Sequence, residues 1–204
     1  MLEKESYIGQ QRVFSHRTAG VLAPENSLAG LKYARNLGFQ NIHFDVRLTA
    51  DGVPILRSDE SIDAPEIRPI IELEPSVGQE QSIAEISADI ISSVGQDKLL
   101  FPLIISENVR TLATLMKIAP EISRGLIWND DLVKEANDHT ALMCQCVMIS
   151  TQQLSIELVK TLHLRQHSVV ATNINDSMDA LTAVEHKVDA LMTGQIDSIG
   201  PYFF

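Results

Sequence analysis

His16 and Arg17 stand side by side just after the short apolar run Val13-Phe14, and a carboxylate, Asp45, sits inside a second run from Ile42 to Leu48. A further carboxylate, Glu72, ends the run Pro69-Ile70-Ile71, and Glu25 lies between the first two runs. The chemistry that suits this set is cleavage of a phosphodiester, with a small-molecule phosphodiester as the partner. The planar fork of Arg17 matches a phosphate oxygen pair. His16 titrates near neutral pH and could act as general base or acid. Asp45 and Glu72, with Glu25 nearby, could hold a hard divalent cation through oxygen, and that cation would offset charge on the phosphate. His43 lies two residues before Asp45, so in an extended run the two share a face.

Each of these residues also has a plainer reading. A His-Arg pair is often a surface feature, and Asp45 among apolar neighbours could be balanced by Arg17 or Arg47 instead of a metal. Glu72 and Glu74 share one face of a strand that could end early and leave both solvated. Trp128 follows an apolar strand, where it could line a substrate cleft or simply pack. His139, His163, His167 and His186 carry no assigned role.

Positioning such groups takes a scaffold, and the chain alternates short apolar runs with helical patterns. Strands are expected at 13–16, 42–48, 69–73, 99–105, 125–128, 141–149, 168–171 and 190–193, with a short extended piece at 53–56 after the turn Ala50-Asp51-Gly52. Helices are expected at 27–37, opened by Asn26 or Ser27, then at 83–94, 109–118, 131–137, 154–162 and 176–185. Ser150 or Thr151 is the expected cap of the helix at 154–162. From the third onward the strands are near-continuous apolar runs, as parallel strands buried on both faces are. Eight such units predict a (β/α)8 barrel, a single domain over residues 1–204, with its catalytic groups at the C-terminal strand ends. At 204 residues it is short for that architecture, and the dozen residues between Leu56 and Pro69 read as a loop, so the barrel is trimmed between its second and third strands.

The formal net charge of -11 excludes a nucleic-acid partner that would need a basic face. No apolar run reaches the roughly 18 residues of a membrane span. The start, Met1-Leu2-Glu3-Lys4, lacks a basic region and an apolar core, so no signal peptide is expected and a cytoplasmic location is. The only cysteines, Cys144 and Cys146, lie two apart in an apolar run and read as buried structural thiols.

At these residues the chain resembles the glycerophosphodiester phosphodiesterase family of phospholipase C-like barrels. Members read His-Arg-Gly, then Ala-Pro-Glu-Asn-Thr, Glu-x-Asp-Val, Thr-x-Asp-Gly-x-Pro-Val, a His-Asp pair and a Glu-x-Lys strand. The counterparts here are His16-Arg17-Thr18, Ala23-Pro24-Glu25-Asn26-Ser27, His43-Phe44-Asp45-Val46, Thr49-Ala50-Asp51-Gly52-Val53-Pro54-Ile55, Ser58-Asp59 and Glu72-Leu73-Glu74. The resemblance implies a divalent-metal-dependent hydrolase that releases glycerol-3-phosphate and an alcohol, with His16 and Arg17 catalytic, Arg17 and Trp128 at the substrate, and Glu25, His43, Asp45 and Glu72 around the metal. Magnesium or calcium is the expected ion, with zinc or manganese admitted by the imidazole of His43.

The departures fall on the chemistry. His43 stands for an acidic metal ligand, Ser58 for the second catalytic histidine, Glu74 for the phosphate lysine, Thr18 for a glycine, Ala171 for a tryptophan and Gly194 for an aspartate. Ser58 cannot act as an acid or base at neutral pH, and each lost acid–base group removes roughly 10²–10⁴-fold in rate. A carboxyl among Asp59, Glu60 and Asp63 could replace it. Two functions therefore stand: a phosphodiesterase with a rebuilt site, or a pseudoenzyme keeping the barrel as a ligand- or partner-binding module.

Overall fold

The structure, a computed structural model, describes residues 11–55, 67–94, 102–128 and 142–204. Among these residues nine strands run in chain order: β1 (Val13–Ser15), β2 (Asn41–Leu48), β3 (Pro54–Ile55), β4 (Arg68–Leu73), β5 (Leu103–Ser106), β6 (Ser123–Ile127), β7 (Cys146–Ser150), β8 (Ser168–Ile174) and β9 (Ala190–Thr193). All except β3 are parallel neighbours in the order β1-β9-β8-β7-β6-β5-β4-β2, and a β1–β2 pairing closes the ring. This is the eight-stranded (β/α)8 barrel expected from the run of apolar segments. β3 pairs antiparallel with the end of β2, Arg47 opposite Ile55, and forms a hairpin at the rim.

Among the described residues five α-helices stand between the strands: α1 (Leu28–Asn36), α2 (Glu80–Val94), α3 (Val109–Ile118), α4 (Ile156–Leu164) and α5 (Ser177–Glu185). Local capping fixes where they start. The Ser27 hydroxyl accepts from the Gly30 N–H at 3.0 Å, and Asp176 accepts from Met178 and Asp179. The cap of α4 is Ser155, which accepts from Leu158 N–H at 3.1 Å. Ser150 ends β7, and Thr151–Gln153 form one turn of 3-10 helix, so the expected start two residues before α4 is corrected. The strand expected from 141 begins only at Cys146, because Met143 takes φ 52 and turns the chain there. The expected helix at 131–137, the segment 56–66 and with it the expected trimming lie outside the described residues.

Alternation along the strands sorts side chains into two layers. Phe14, Ile70, Leu103, Ile105, Cys146, Met148, Val170, Ala190 and Met192 pack together as the barrel's filling. The intervening residues, such as Ile42, Phe44, Val147, Ile149, Val169 and Leu191, face the helices. Full burial of each Leu or Ile contributes roughly 1.5–3 kcal/mol. At the N-terminal end of β6 the fully buried Arg124 caps the loop that follows α3, donating through Nη1 to the carbonyls of Ala119, Pro120 and Ile122 and through Nε to that of Leu142. Both cysteines are free and buried, as expected. No helix among the described residues is long and apolar enough to cross a membrane.

Candidate active site

The inward alternation set by Phe14 carries His16 to the C-terminal mouth, and the same alternation on β2 points His43 and Asp45 inward. Register does the rest. β2 pairs with β4 so that His43 stands beside Ile70 and Asp45 beside Glu72. The His43 ring is fully buried and stacks on His16, centroids 5.1 Å apart and planes 16° from parallel.

The loop after β1 is held by unusual backbone. Arg17 and Thr18 both take positive φ, 47 and 73. A β-branched residue is rarely found there, and the family pattern that the sequence resembles has glycine at that position. The turn is fixed by Thr18 N–H donating to the His43 carbonyl at 2.9 Å and by the Ser15 hydroxyl donating to the Thr18 carbonyl. Asn26, also at positive φ, is not the cap of α1. Its side chain accepts from the Asp45 N–H at 3.0 Å and donates to Asp45 Oδ2 at 3.1 Å, so it fixes that carboxylate. Gly194 lies against Gly20, where a side-chain carbon on Gly20 would fall 2.1 Å from the Gly194 carbonyl oxygen. A side-chain carbon on Gly194 itself would meet the Gly20 Cα at an ordinary 3.4 Å, so the close approach demands glycine at 20 and not at 194.

Charge at the mouth is organised in pairs. Arg17 Nε lies 2.8 Å from Asp45 Oδ2, and its Nη1 lies 3.1 Å from Glu25 Oε2. Burial opposes the guanidinium's charge, but Asp45 and Glu25 outweigh it and raise its pKa. Arg47 pairs with Glu74 at the rim. Thus Arg17 balances Asp45, one of the two plainer partners considered from sequence, and Arg47 is taken by Glu74. Burial, followed by the nearby His43 and Arg17, pushes His16 down to about 4, so its ring is neutral at neutral pH.

Two cavities of about 180 and 190 Å³ meet at His16. The first is bounded by Glu25, Asn173, Asn175 and Gln195, and the second by Glu72, Glu107, Trp128 and Ser150. Trp128 therefore lines the cleft and also packs against the core with one edge. Asn173, Gln195 and Glu107 were not singled out from sequence. Their signal is positional only: each follows or ends a barrel strand, and Asn173 sits at positive φ where β8 slips register. Ser58, Asp59, Glu60 and Asp63 lie outside the described residues.

Of the four expected metal ligands, His43, Asp45 and Glu72 offer atoms within 4.8 Å of one another, which makes them the candidate cation site. Glu25 is turned to Arg17 instead. The fit to a cation fails at His43. Its Nδ1 accepts the Arg17 backbone N–H at 3.2 Å, so the ring's hydrogen is on Nε2, the atom that faces Glu72 Oε2 at 3.1 Å and Asp45 Oδ1 at 3.6 Å. A metal-bound histidine donates from its other nitrogen. Here that nitrogen can only accept. Asp45 Oδ2 is already taken by Arg17 and Asn26. Asp45 Oδ1 is buried without a hydrogen bond, but it faces the same Nε2 hydrogen.

Residues 16–66 match the Glycerophosphoryl diester phosphodiesterase family. Over 49 residues, 24% of the chain, the sequence is 37% identical to glycerophosphodiester phosphodiesterase 1 of Homo sapiens, and over 51 residues it is 41% identical to the glycerophosphodiester phosphodiesterase of Caldanaerobacter subterraneus. Those matches cover 15% and 21% of the relatives' own lengths. The whole fold is similar to an Oleispira antarctica phosphodiesterase solved with the product sn-glycerol-3-phosphate, with TM-score 0.80, 21% identity, and coverage of 91% of this chain and 93% of that one. It is also similar to the glycerophosphodiester phosphodiesterase of Thermotoga maritima, with TM-score 0.72, 14% identity, and coverage of 92% and 96%. A shared barrel at such identity carries the fold alone, whereas the matched stretch holds His16, Arg17, Glu25, Asn26 and Asp45, the residues that build this mouth. Over residues 16–66 the chain is similar to the glycerophosphoryl diester phosphodiesterase family, and over its whole length it shares the barrel fold of that family's solved structures.

Proposed function

We propose that the mouth of the barrel binds a glycerophosphodiester and hydrolyses it slowly to glycerol-3-phosphate and an alcohol. The observation that carries this reading is the neutral imidazole of His16, placed where two cavities meet and next to the guanidinium of Arg17. Arg17 is the phosphate clamp: Nε and Nη1 are held by Asp45 and Glu25, and Nη2 takes part in neither pair. His16 takes a proton from water as the water oxygen forms its bond to phosphorus. The bond from phosphorus to the leaving oxygen breaks, and the proton passes from His16 to that oxygen. The divalent ion of related enzymes would supply charge neutralisation. No step here is routed through one, because His43 does not present a lone pair to it.

One imidazole serving both proton transfers implies turnover about 10²–10⁴-fold below that of a site with two such groups. A specific observation favours a second reading, a binding module without turnover: Glu74 replaces a phosphate-attracting lysine and is itself tied to Arg47. Release of glycerol-3-phosphate from glycerophosphocholine and glycerophosphoethanolamine separates the two, run in chelator and then with magnesium, calcium, manganese and zinc, beside His16→Ala. Turnover abolished in the variant supports hydrolysis. Calorimetric binding of sn-glycerol-3-phosphate without any turnover supports the binding module, and the absence of both binding and turnover would overturn the phosphodiester reading.

A further inference from the structure

We propose that His43 stands in the cation's place, so that a protein hydrogen-bond donor completes this site and a phosphoester is taken up without a divalent metal. The metal half of this inference is independent of the reading above, and the phosphoester half rests on it.

Three observations converge. The Nε2 hydrogen of His43 is fixed by the backbone, because Nδ1 is committed to the Arg17 N–H at 3.2 Å. It points between Glu72 Oε2 at 3.1 Å and Asp45 Oδ1 at 3.6 Å, the two carboxylates that a cation would otherwise bridge. Secondly, each carboxylate already has its own protein partner: Glu72 has His43, and Asp45 has Arg17 Nε and the amide of Asn26. A half-buried carboxylate so paired needs no metal to offset its burial. Thirdly, the protein oxygens gathered here for a hard cation are those of Asp45 and Glu72, which leaves most of its positions to water. Glu25 has left the set for Arg17, and imidazole is a ligand for softer ions.

The same side chain positions others. The ring of His43 stacks on His16, and its Nδ1 accepts from the backbone N–H of Arg17. A donor built into β2 thus sets the orientation of both groups that would meet the substrate. A cation in that place would pull the carboxylates together but would not touch the Arg17 backbone.

The test uses the whole chain, freed of metal with a chelator. Magnesium, calcium and manganese are titrated calorimetrically, with manganese also followed by electron paramagnetic resonance. No saturable site is expected in the native protein. His43→Glu is expected to bind manganese at least about tenfold more tightly than the native chain, a change of the size that ligand-sphere substitutions produce. The melting temperature of that variant should rise on adding manganese, while that of the native chain does not move. Nitrogen-15 shifts of the native His43 ring should place the proton on Nε2 and stay unchanged when magnesium is added. One equivalent of cation bound by the native chain with displacement of that proton would overturn the proposal, and it is read without any variant. Binding of sn-glycerol-3-phosphate that appears only with metal would overturn it as well. If sn-glycerol-3-phosphate binds under no condition, the phosphodiester reading and the uptake half of this one both fail, and the metal titrations still decide the rest.

Discussion

Replacing His16 by Gln should change how the protein's stability depends on acid, and by an amount the structure sets. In the fold the imidazole is pushed down to about 4, by burial first and then by His43 and Arg17, against 6.5 in the unfolded chain. The unfolded state therefore takes up the proton first as pH falls. His16 leaves stability intact above about pH 6.5, and stability is lost as pH drops from there toward 4. The pKa difference corresponds to about 2 kcal/mol at pH 5 and about 3 kcal/mol at pH 4. His16→Gln carries no such proton. Relative to the native chain it should thus gain about 3 kcal/mol between pH 7 and pH 4, whatever the other groups contribute, since they titrate in both proteins.

Urea denaturation of the two proteins at matched pH values measures that difference directly. Proton resonances of the His16 ring supply the site-specific value. The same displacement bears on activity: a base that remains neutral down to about 4 would keep the acid limb of kcat/KM well below the usual histidine range. A ring titrating near 6.5, or a native-to-variant difference that stays flat with pH, would refute the reasoning. It would mean that His16 is wetter, or farther from Arg17 and His43, than the stacked geometry requires.

Other consequences follow from the packing. Gly30→Ala puts a carbon 2.2 Å from Thr18 Oγ1 and 3.1 Å from Thr18 Cβ. Overpacking of that kind costs about 1–3 kcal/mol, more than the helical preference of alanine returns, and Thr18→Gly in the same chain should recover it in urea denaturation. Arg124→Leu strands four backbone carbonyls that the guanidinium now satisfies. Since charge-assisted hydrogen bonds contribute roughly 1.5–3 kcal/mol each and are not additive, a loss of about 3 kcal/mol or more is expected, seen as a drop of about 6–12 °C in Tm. Burial pushes the Cys144 thiol up to about 12, and both cysteines are nearly inaccessible. A disulfide reagent should leave the native chain unlabelled and titrate two thiols in urea, and prompt labelling of the folded protein would contradict this.

The barrel was legible because strand periodicity and β-branched runs are local signals, and eight of them in alternation with helices leave little choice of architecture. The inward direction of His43 and Asp45 was legible for the same reason, since residues two apart on a strand share a face. What the sequence did not disclose is the pairing in the loops. The role of Asn26 depends on a positive φ that brings its amide onto Asp45, and α4 starts at Ser155 because a turn of 3-10 helix intervenes. The tautomer of His43 depends on the direction of one backbone N–H, which no residue spacing reveals.

The departures from the family pattern make sense as partners. Glu74, where a lysine was expected, is met by Arg47, and His43, where an acid was expected, is met by Glu72. Thr18, where a glycine was expected, fills the space over Gly30, whereas nothing in the structure explains glycine in place of aspartate at Gly194. A site that had merely lost its chemistry would leave its remaining carboxylates facing one another, and like charges at such distances raise each other's pKa and strain the fold. Here Asp45 and Glu72 each keep a donor from the protein itself. That arrangement ties each of the two carboxylates to a protein group. It also makes the substitutions interdependent: His43→Glu alone should bring three carboxylates together and lower stability in chelator, and only a cation should restore it.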